Sequence, residues 1–283
     1  MKDYKYQLRK GSKKDVCPNC GKKTFVPYVD VNTNKEAGQE FGKCERINSC
    51  AYIKYPKTER DENWTPPAPQ PYIAPKPTEY ISKEIVEKTF SDYRSNVFFQ
   101  YLRKTFGDAV ALQLREDYNI ATAKNGGTIF WQQDNVGRFR TGKVMYYGEN
   151  GKRLKDKLSW FVHKNIRPDF NFQQCFFGLH LVTAEKPVAL CESEKTAVLM
   201  SIYEPKFTWV ASGGSEMINV QRITELKRLD KVYPDGGQFE KWEQKTKLFE
   251  SRQMDISVDA AIANGLIPEG SDILDLTQKT ILL

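Results

Sequence analysis

The sequence predicts a mixed fold, α+β in front and α/β behind. It reads as a metal-stapled N-terminal module, a basic segment of helices and antiparallel strands, and a C-terminal parallel sheet. Three observations predict this order. Four cysteines stand in the first fifty residues, as Cys17-Pro-Asn-Cys20-Gly, then Cys44 and Cys50. Helical periods give way to short period-two strands between residues 80 and 182. After residue 182 apolar strand runs alternate with helical runs, the pattern of βαβ units.

The cysteines come first. A tight C-x-x-C-G turn aims both thiolates at one point, and the glycine lets the chain curl away without a Cβ clash. Cys44-x5-Cys50 is a wider second pair. Lys22, Lys23, Lys43 and Arg46 crowd these thiolates. The chain opens MKDYKYQLRKGSKKD, without an apolar signal segment. A cytoplasmic protein with reduced thiols is therefore expected, and Cys17, Cys20, Cys44 and Cys50 are expected to bind one zinc. Cys175 and Cys191 lie in apolar runs and read as core.

Charge is segregated. Residues 1–55 hold 12 Lys/Arg against 6 Asp/Glu, residues 138–167 hold 9 against 2, and residues 183–283 hold 12 against 16. A basic front and middle fit a polyanion, and an acidic rear fits a divalent cation. No apolar run is long enough to span a membrane.

From Pro56 to Pro77 the chain holds seven prolines, which reads as a semi-rigid spacer. The expected boundaries are 1–55 for the zinc ribbon, 56–79 for the linker, 80–182 for the basic segment and 183–283 for the parallel sheet. In the basic segment, SKEIVEKTFSDY, SNVFFQYLRKTFG and DAVALQLREDY read as helices. GTIFWQQD, RFRTGKVMYY and KRLKDKLSWFVH read as strands joined by turns at Gly137 and at Glu149-Asn150-Gly151. Arg138, Arg140, Lys143, Arg153, Lys155 and Lys157 lie on these strands among Tyr146, Tyr147 and Trp160. Bases stack on such rings, so these cations are the candidate contacts to single-stranded nucleic acid. His163 and His180 stand beside apolar residues and are expected in hydrogen-bonded core roles.

In the rear, KPVALCES, KFTWVASGG and DKVYPDGG read as strands and EKTAVLMSIYE, NVQRITELKRL and FEKWEQKTKLFESR as helices. Functional groups of such sheets gather at the carboxyl ends of the strands. Glu192, the Ser212-Gly213-Gly214-Ser215 turn and Asp235 all fall there. Two carboxylates on neighbouring strands suit magnesium, and the small-residue turn reads as a plain βα turn or as one that a phosphate can approach.

This order resembles the TOPRIM domain of bacterial replicative primases, topoisomerases and related nucleases. Glu192 matches the family's catalytic Glu, the Ser212–Ser215 turn its second motif, and Asp235 the first Asp of its Asp-x-Asp. The zinc ribbon, basic segment and TOPRIM-like Rossmannoid parallel-sheet domain follow one another as in the replicative primase. GRFRTGKVMYY resembles that enzyme's template-guiding strands, and Phe177-Gly178-Leu179 the segment leading into its TOPRIM domain. The stretch from Pro234 to Trp242 is similar to primase-like proteins of bacterial mobile elements. The chain departs from the pattern at Gly237, where the second Asp would fall, at Ser193 in place of a Gly, and near Thr196 in place of an Asp. Asp272 and Asp275 are candidate substitutes, or else a helix cap and a solvated acid. The resemblance implies a primase-like protein using magnesium or manganese at Glu192 and Asp235, with a helicase or other replication protein as partner. It also implies two alternatives, a TOPRIM binding module without turnover and a TOPRIM nuclease.

Overall fold

The computed structural model describes residues 4–46, 50–56, 76–167 and 169–281. The chain forms two compact units, residues 1–73 and 74–283. Most of the proline-rich stretch, residues 57–75, lies outside the described residues.

The first unit is an antiparallel ribbon of β1 (Tyr6–Leu8), β2 (Asp15–Val16), β3 (Lys23–Asp30), β4 (Gly42–Cys44) and β5 (Ile53–Lys54). β3 carries β1 and β2 along one edge and β4 along the other. Its core is Cys17, Phe25 and Cys44, with Cys20, Cys50 and Tyr52 packed against them. Gly42 lies so close under Phe25 that a Cβ there would come within 2.4 Å of the ring. So small an apolar cluster needs a metal staple to hold the ribbon.

The second unit opens with α1 (Lys83–Glu87), α2 (Val97–Phe106) and α3 (Asp108–Asp117). α1 is shorter than its sequence period predicts, and Asp92 beyond it turns to a φ of 51°. Asn96 caps α2 by accepting the Phe99 N–H, and Gly107 ends it. An antiparallel meander follows, β6 (Ile120–Thr122), β7 (Thr128–Gln133), β8 (Phe139–Met145) and β9 (Trp160–Phe161). Only the end of KRLKDKLSWFVH is strand. Residues 152–159 form a loop, apart from one bridge between Tyr147 and Arg153. Their five charges leave little apolar surface to bury, so a loop suits them better than a sheet edge.

The rear contains β10 (Val188–Cys191), α4 (Glu194–Tyr203), β11 (Thr208–Ala211), α5 (Val220–Glu225), β12 (Lys231–Val232), α6 (Phe239–Thr246), β13 (Gln253–Met254), α7 (Ser257–Ala263) and α8 (Ile273–Ile281). The strands are all parallel, in the order β11-β10-β12-β13. β10 and β11 are fully buried because helices cover both faces, whereas the two-residue β12 and β13 each carry one polar residue. The chain leaves β10 towards β11 on one side and later returns to place β12 on the other. The crevice between the carboxyl ends of β10 and β12 is thus the sheet's topological switch point.

One core joins the two sheets. Phe98, Leu102 and Phe130 from the front pack with Phe177, Ala189, Trp209 and Tyr233 from the rear. The Tyr118 hydroxyl donates to the Trp209 carbonyl at 3.2 Å across this seam. A second cluster around Trp242 fills the far side of the parallel sheet, and a third around Trp131 the far side of the meander. Burying each such side chain contributes about 1.5–3 kcal/mol. Residues 80–182 and 183–283 therefore stand as one compact body.

Candidate functional site

Glu192 leaves the tip of β10 and Asp235 lies three residues beyond the end of β12, so the pair occupies the two lips of the switch point. Both are half-buried. Burial raises the Glu192 carboxyl above its ordinary range, opposed by the Ser215 backbone N–H and by Lys143. Asp235 is pushed up to about 8, first by burial and then by the negative charges of Glu192, Asp272 and Asp275. Lys195 does not neutralise Glu192; its ammonium donates to the Gly151 carbonyl at 3.5 Å.

Asp272 caps α8 reciprocally with Asp275. The Asp275 N–H donates to Asp272 at 3.0 Å, and the Asp272 N–H to Asp275 at 3.2 Å. Asp272 also accepts the Thr196 hydroxyl at 2.5 Å. The residue near which the resemblance would place an Asp thus holds an Asp borrowed from α8. Gly237 adopts a φ of +77° with open space where a Cβ would be, and its N–H donates to Asp259 at 2.7 Å.

The Ser212–Ser215 turn does not present free amides to a phosphate. Gly213 N–H donates to the Glu192 carbonyl at 2.8 Å, and the Ser215 N–H faces the Glu192 carboxylate. Its carbonyls are held by cations from three other elements. Arg222 donates to Ser212 at 3.0 Å, Lys143 to Gly213 at 2.9 Å and Lys245 to Ser215 at 3.0 Å. Lys143 also donates to Glu194 at 3.0 Å. Glu194 is 1% exposed, and its second oxygen is buried without a partner. The sequence reading missed Glu194 and gave Lys143 another role. A signal existed: Glu194 opens a helix right after a strand tip.

The other candidate cations separate by burial. Arg140 is 5% exposed and donates to Asp134 at 2.9 Å and to Glu225 at 3.4 Å. It is committed inside the fold and is withdrawn from the strand-contact set. Arg138 is half exposed, pairs with Asp134 at 3.0 Å and stacks 4.2 Å over Tyr80. Arg153, Lys155 and Lys157 are exposed, Lys157 lying 5.2 Å over the Tyr146 ring. Among the aromatics, Tyr147 is buried at 4%, while Trp160 is half-buried with its ring N–H donating to the Tyr146 hydroxyl at 3.2 Å. His163 contacts Thr141 at 2.8 Å and stacks on Phe172, and His180 donates to the Asp117 carbonyl at 2.8 Å. Cys175 and Cys191 are fully buried.

In the first unit the sulfurs of Cys17, Cys20, Cys44 and Cys50 all lie within 4.8 Å of one another. Cys17 to Cys50 is 3.8 Å and Cys20 to Cys44 is 4.0 Å. A tetrahedron of thiolates about 2.3 Å from zinc has sulfur edges of nearly 4 Å, so the residues present fit that ion. The wide second pair closes because the Cys50 N–H donates to the Arg46 carbonyl at 2.8 Å and Ala51 turns to a φ of 52°. Thr24 reaches the Cys44 sulfur at 3.3 Å and Asn19 the Cys50 sulfur at 3.3 Å, supplying donors to thiolates. Burial pushes the Cys17 thiol up to about 11, whereas the Lys22 backbone N–H brings Cys20 down to about 6. Among the described residues no other group of three ligand-bearing side chains is drawn this close.

A family described as a domain of unknown function, DUF6371, matches residues 96–235, and a zinc beta-ribbon finger family matches residues 4–65. The zinc ribbon match and the cysteine cluster together support bound zinc. No curated protein matches the chain. Among solved structures, the chain is similar to the primase fragment of the bacteriophage T7 primase-helicase protein. Identity is 13%, the TM-score is 0.41, and the match covers 90% of this chain and 96% of that one. The Aquifex aeolicus primase, with its zinc-binding and RNA polymerase domains, matches at 12% identity and a TM-score of 0.32. That match covers 65% of this chain and 52% of that one. A DNA primase domain from Pseudomonas aeruginosa matches at 10% identity and a TM-score of 0.29, over 64% of this chain and 66% of that one.

Proposed function

We propose that this chain is a primase-like protein that binds single-stranded nucleic acid and uses Glu192 and Asp235 to hold magnesium or manganese for nucleotidyl transfer. The observation that carries the reading is the placement of two half-buried carboxylates on opposite lips of the switch point, with Asp272 nearby. Burial, and after it the repulsion of Glu192 and Asp272, favours the protonated form of Asp235, and a divalent cation is the natural replacement for that proton. Such an ion would stabilise the charge that develops when a 3′ hydroxyl attacks a nucleotide α-phosphate and pyrophosphate leaves. Arg138, Arg153, Lys155 and Lys157, with the half-buried Trp160, are the side chains offered to the strand. The zinc ribbon would add a second basic surface. The resemblance to proteins of mobile elements suggests replication of such an element in the cytoplasm, alongside a helicase or similar partner.

Gly237 favours a second reading, a binding module without turnover. It leaves the second family acid without a side chain, and Glu192, Asp235 and Asp272 are not drawn into one coordination sphere. The test is template-directed synthesis with magnesium or manganese. Glu192→Gln should lower it by about two orders of magnitude or more while oligonucleotide affinity stays near parental. A parent that binds oligonucleotide but neither synthesises nor cleaves any strand would replace the enzyme reading with the binding module. Metal-dependent cleavage without synthesis would select the nuclease.

A further inference from the structure

The Ser212–Ser215 turn is clamped on its outer side and aimed on its inner side. Arg222 from α5, Lys245 from α6 and Lys143 from β8 hold its carbonyls, while its Gly213 N–H donates to the Glu192 backbone carbonyl at 2.8 Å and its Ser215 N–H faces the Glu192 carboxylate. Lys143 differs from the other two in origin, because it crosses from the antiparallel sheet. It is also the clamp that engages a buried acid. The Lys143 side chain is 12% exposed and the Glu194 side chain 2% exposed. Gly213 has a φ of +79°, and a Cβ there would come within 2.9 Å of the unpartnered Glu194 oxygen. The turn, Glu194 and the Lys143 ammonium thus fit together without room for a larger residue at Gly213.

We propose that Lys143 is a positioning residue: by bridging Glu194 and the Gly213 carbonyl it fixes the turn that aims Glu192, so the antiparallel sheet sets the geometry of the carboxylate site. This rests on the reading of Glu192 as a cation-facing group. With two of its three donors committed and little exposure, Lys143 has scant surface left for a strand phosphate. Removing the ammonium alone would leave Glu194 buried and unpaired, which commonly destabilises a fold outright. Pairing Lys143→Met with Glu194→Gln takes away the clamp without leaving that charge.

The experiment uses the full zinc-loaded chain as parent, Lys143→Arg, Lys143→Met and the double variant Lys143→Met/Glu194→Gln. Amide hydrogen exchange is read at Gly213, Gly214 and Ser215, and manganese affinity by calorimetry. In the double variant these amides should exchange at least about tenfold faster and manganese should bind roughly tenfold more weakly, an effect of one hydrogen-bonded contact. Lys143→Arg, which keeps a donor in place, should recover most of both. Should Lys143→Met fail to fold, the double variant carries the test. Parental exchange in the double variant, or an Arg variant as defective as the double, overturns the proposal. Weaker oligonucleotide binding with an unchanged turn also overturns it and returns Lys143 to the strand surface. A parent that binds no manganese sinks the metal reading instead, and the exchange data then decide the role of Lys143 alone.

Discussion

Asp235 is drawn out of water at a strand tip and faces Glu192, Asp272 and Asp275. Its carboxyl is therefore held up to about 8, against about 3.9 for an unfolded Asp. Below the unfolded value both states hold the proton and Asp235 favours neither. Between the two values only the folded chain holds it, so the metal-free fold loses stability as pH rises towards 8. Asp235→Asn keeps the shape and cannot ionise. The metal-free variant should match the parent near pH 4 and melt at a higher temperature than the parent at pH 8. The difference between the two melting curves isolates this one group. Equal melting temperatures across that range would mean that Asp235 ionises freely and feels no such crowding.

At the scale of elements, the strand tips were legible and the clamps were not. Val188–Cys191 and Thr208–Ala211 are continuous apolar runs, and each ends in a polar or small residue, so Glu192 and the Ser212 turn could be placed from the sequence. β12 is only Lys231–Val232, yet Pro234 and Asp235 still marked its end. The partners of these tips come from far along the chain. Lys143 meets Glu194 across 51 positions and Thr196 meets Asp272 across 76, and no local period encodes either contact. Arg140 shows the same limit. Its basic and aromatic neighbours in sequence made it a candidate contact to nucleic acid, and only the fold brings Asp134 and Glu225 around it.

The β12–α6 connection also explains Gly237. A φ of +77° costs an L-residue about 1 kcal/mol, although the space around the missing Cβ is open. Gly237→Asp should therefore lower stability by about 1 kcal/mol in urea titrations, and Gly237→Asn by less, since Asn tolerates this region. A fully stable Asp variant with tighter manganese binding would argue that the backbone relaxes and that the lost acid can be restored.

At the scale of the whole molecule, the two units are stabilised by different means. Residues 74–283 contain three apolar clusters, with Trp131, Trp209 and Trp242 fully buried in them. Among the described residues of the first unit, the core cluster is Cys17, Phe25 and Cys44 with the partly buried Cys20, Cys50 and Tyr52, so four of its six residues are the zinc-binding cysteines. Structural zinc commonly supplies about 10–16 kcal/mol to so small a module, more than its apolar core could. Among the described residues no helix is long and apolar enough to cross a membrane. Chelation should thus unfold the first unit and leave the second intact. Two signals separate them: amide dispersion of residues 4–46 should collapse on adding chelator, while the cooperative thermal transition reported by the buried tryptophans keeps its midpoint. Cys44→Ser should reproduce the chelated state, since three remaining ligands hold zinc far more weakly than four. Persistence of the ribbon without metal would show that its strands stand on hydrogen bonds and Phe25 alone. A shift of the tryptophan transition on chelation would show that the second unit takes part of its stability from the first.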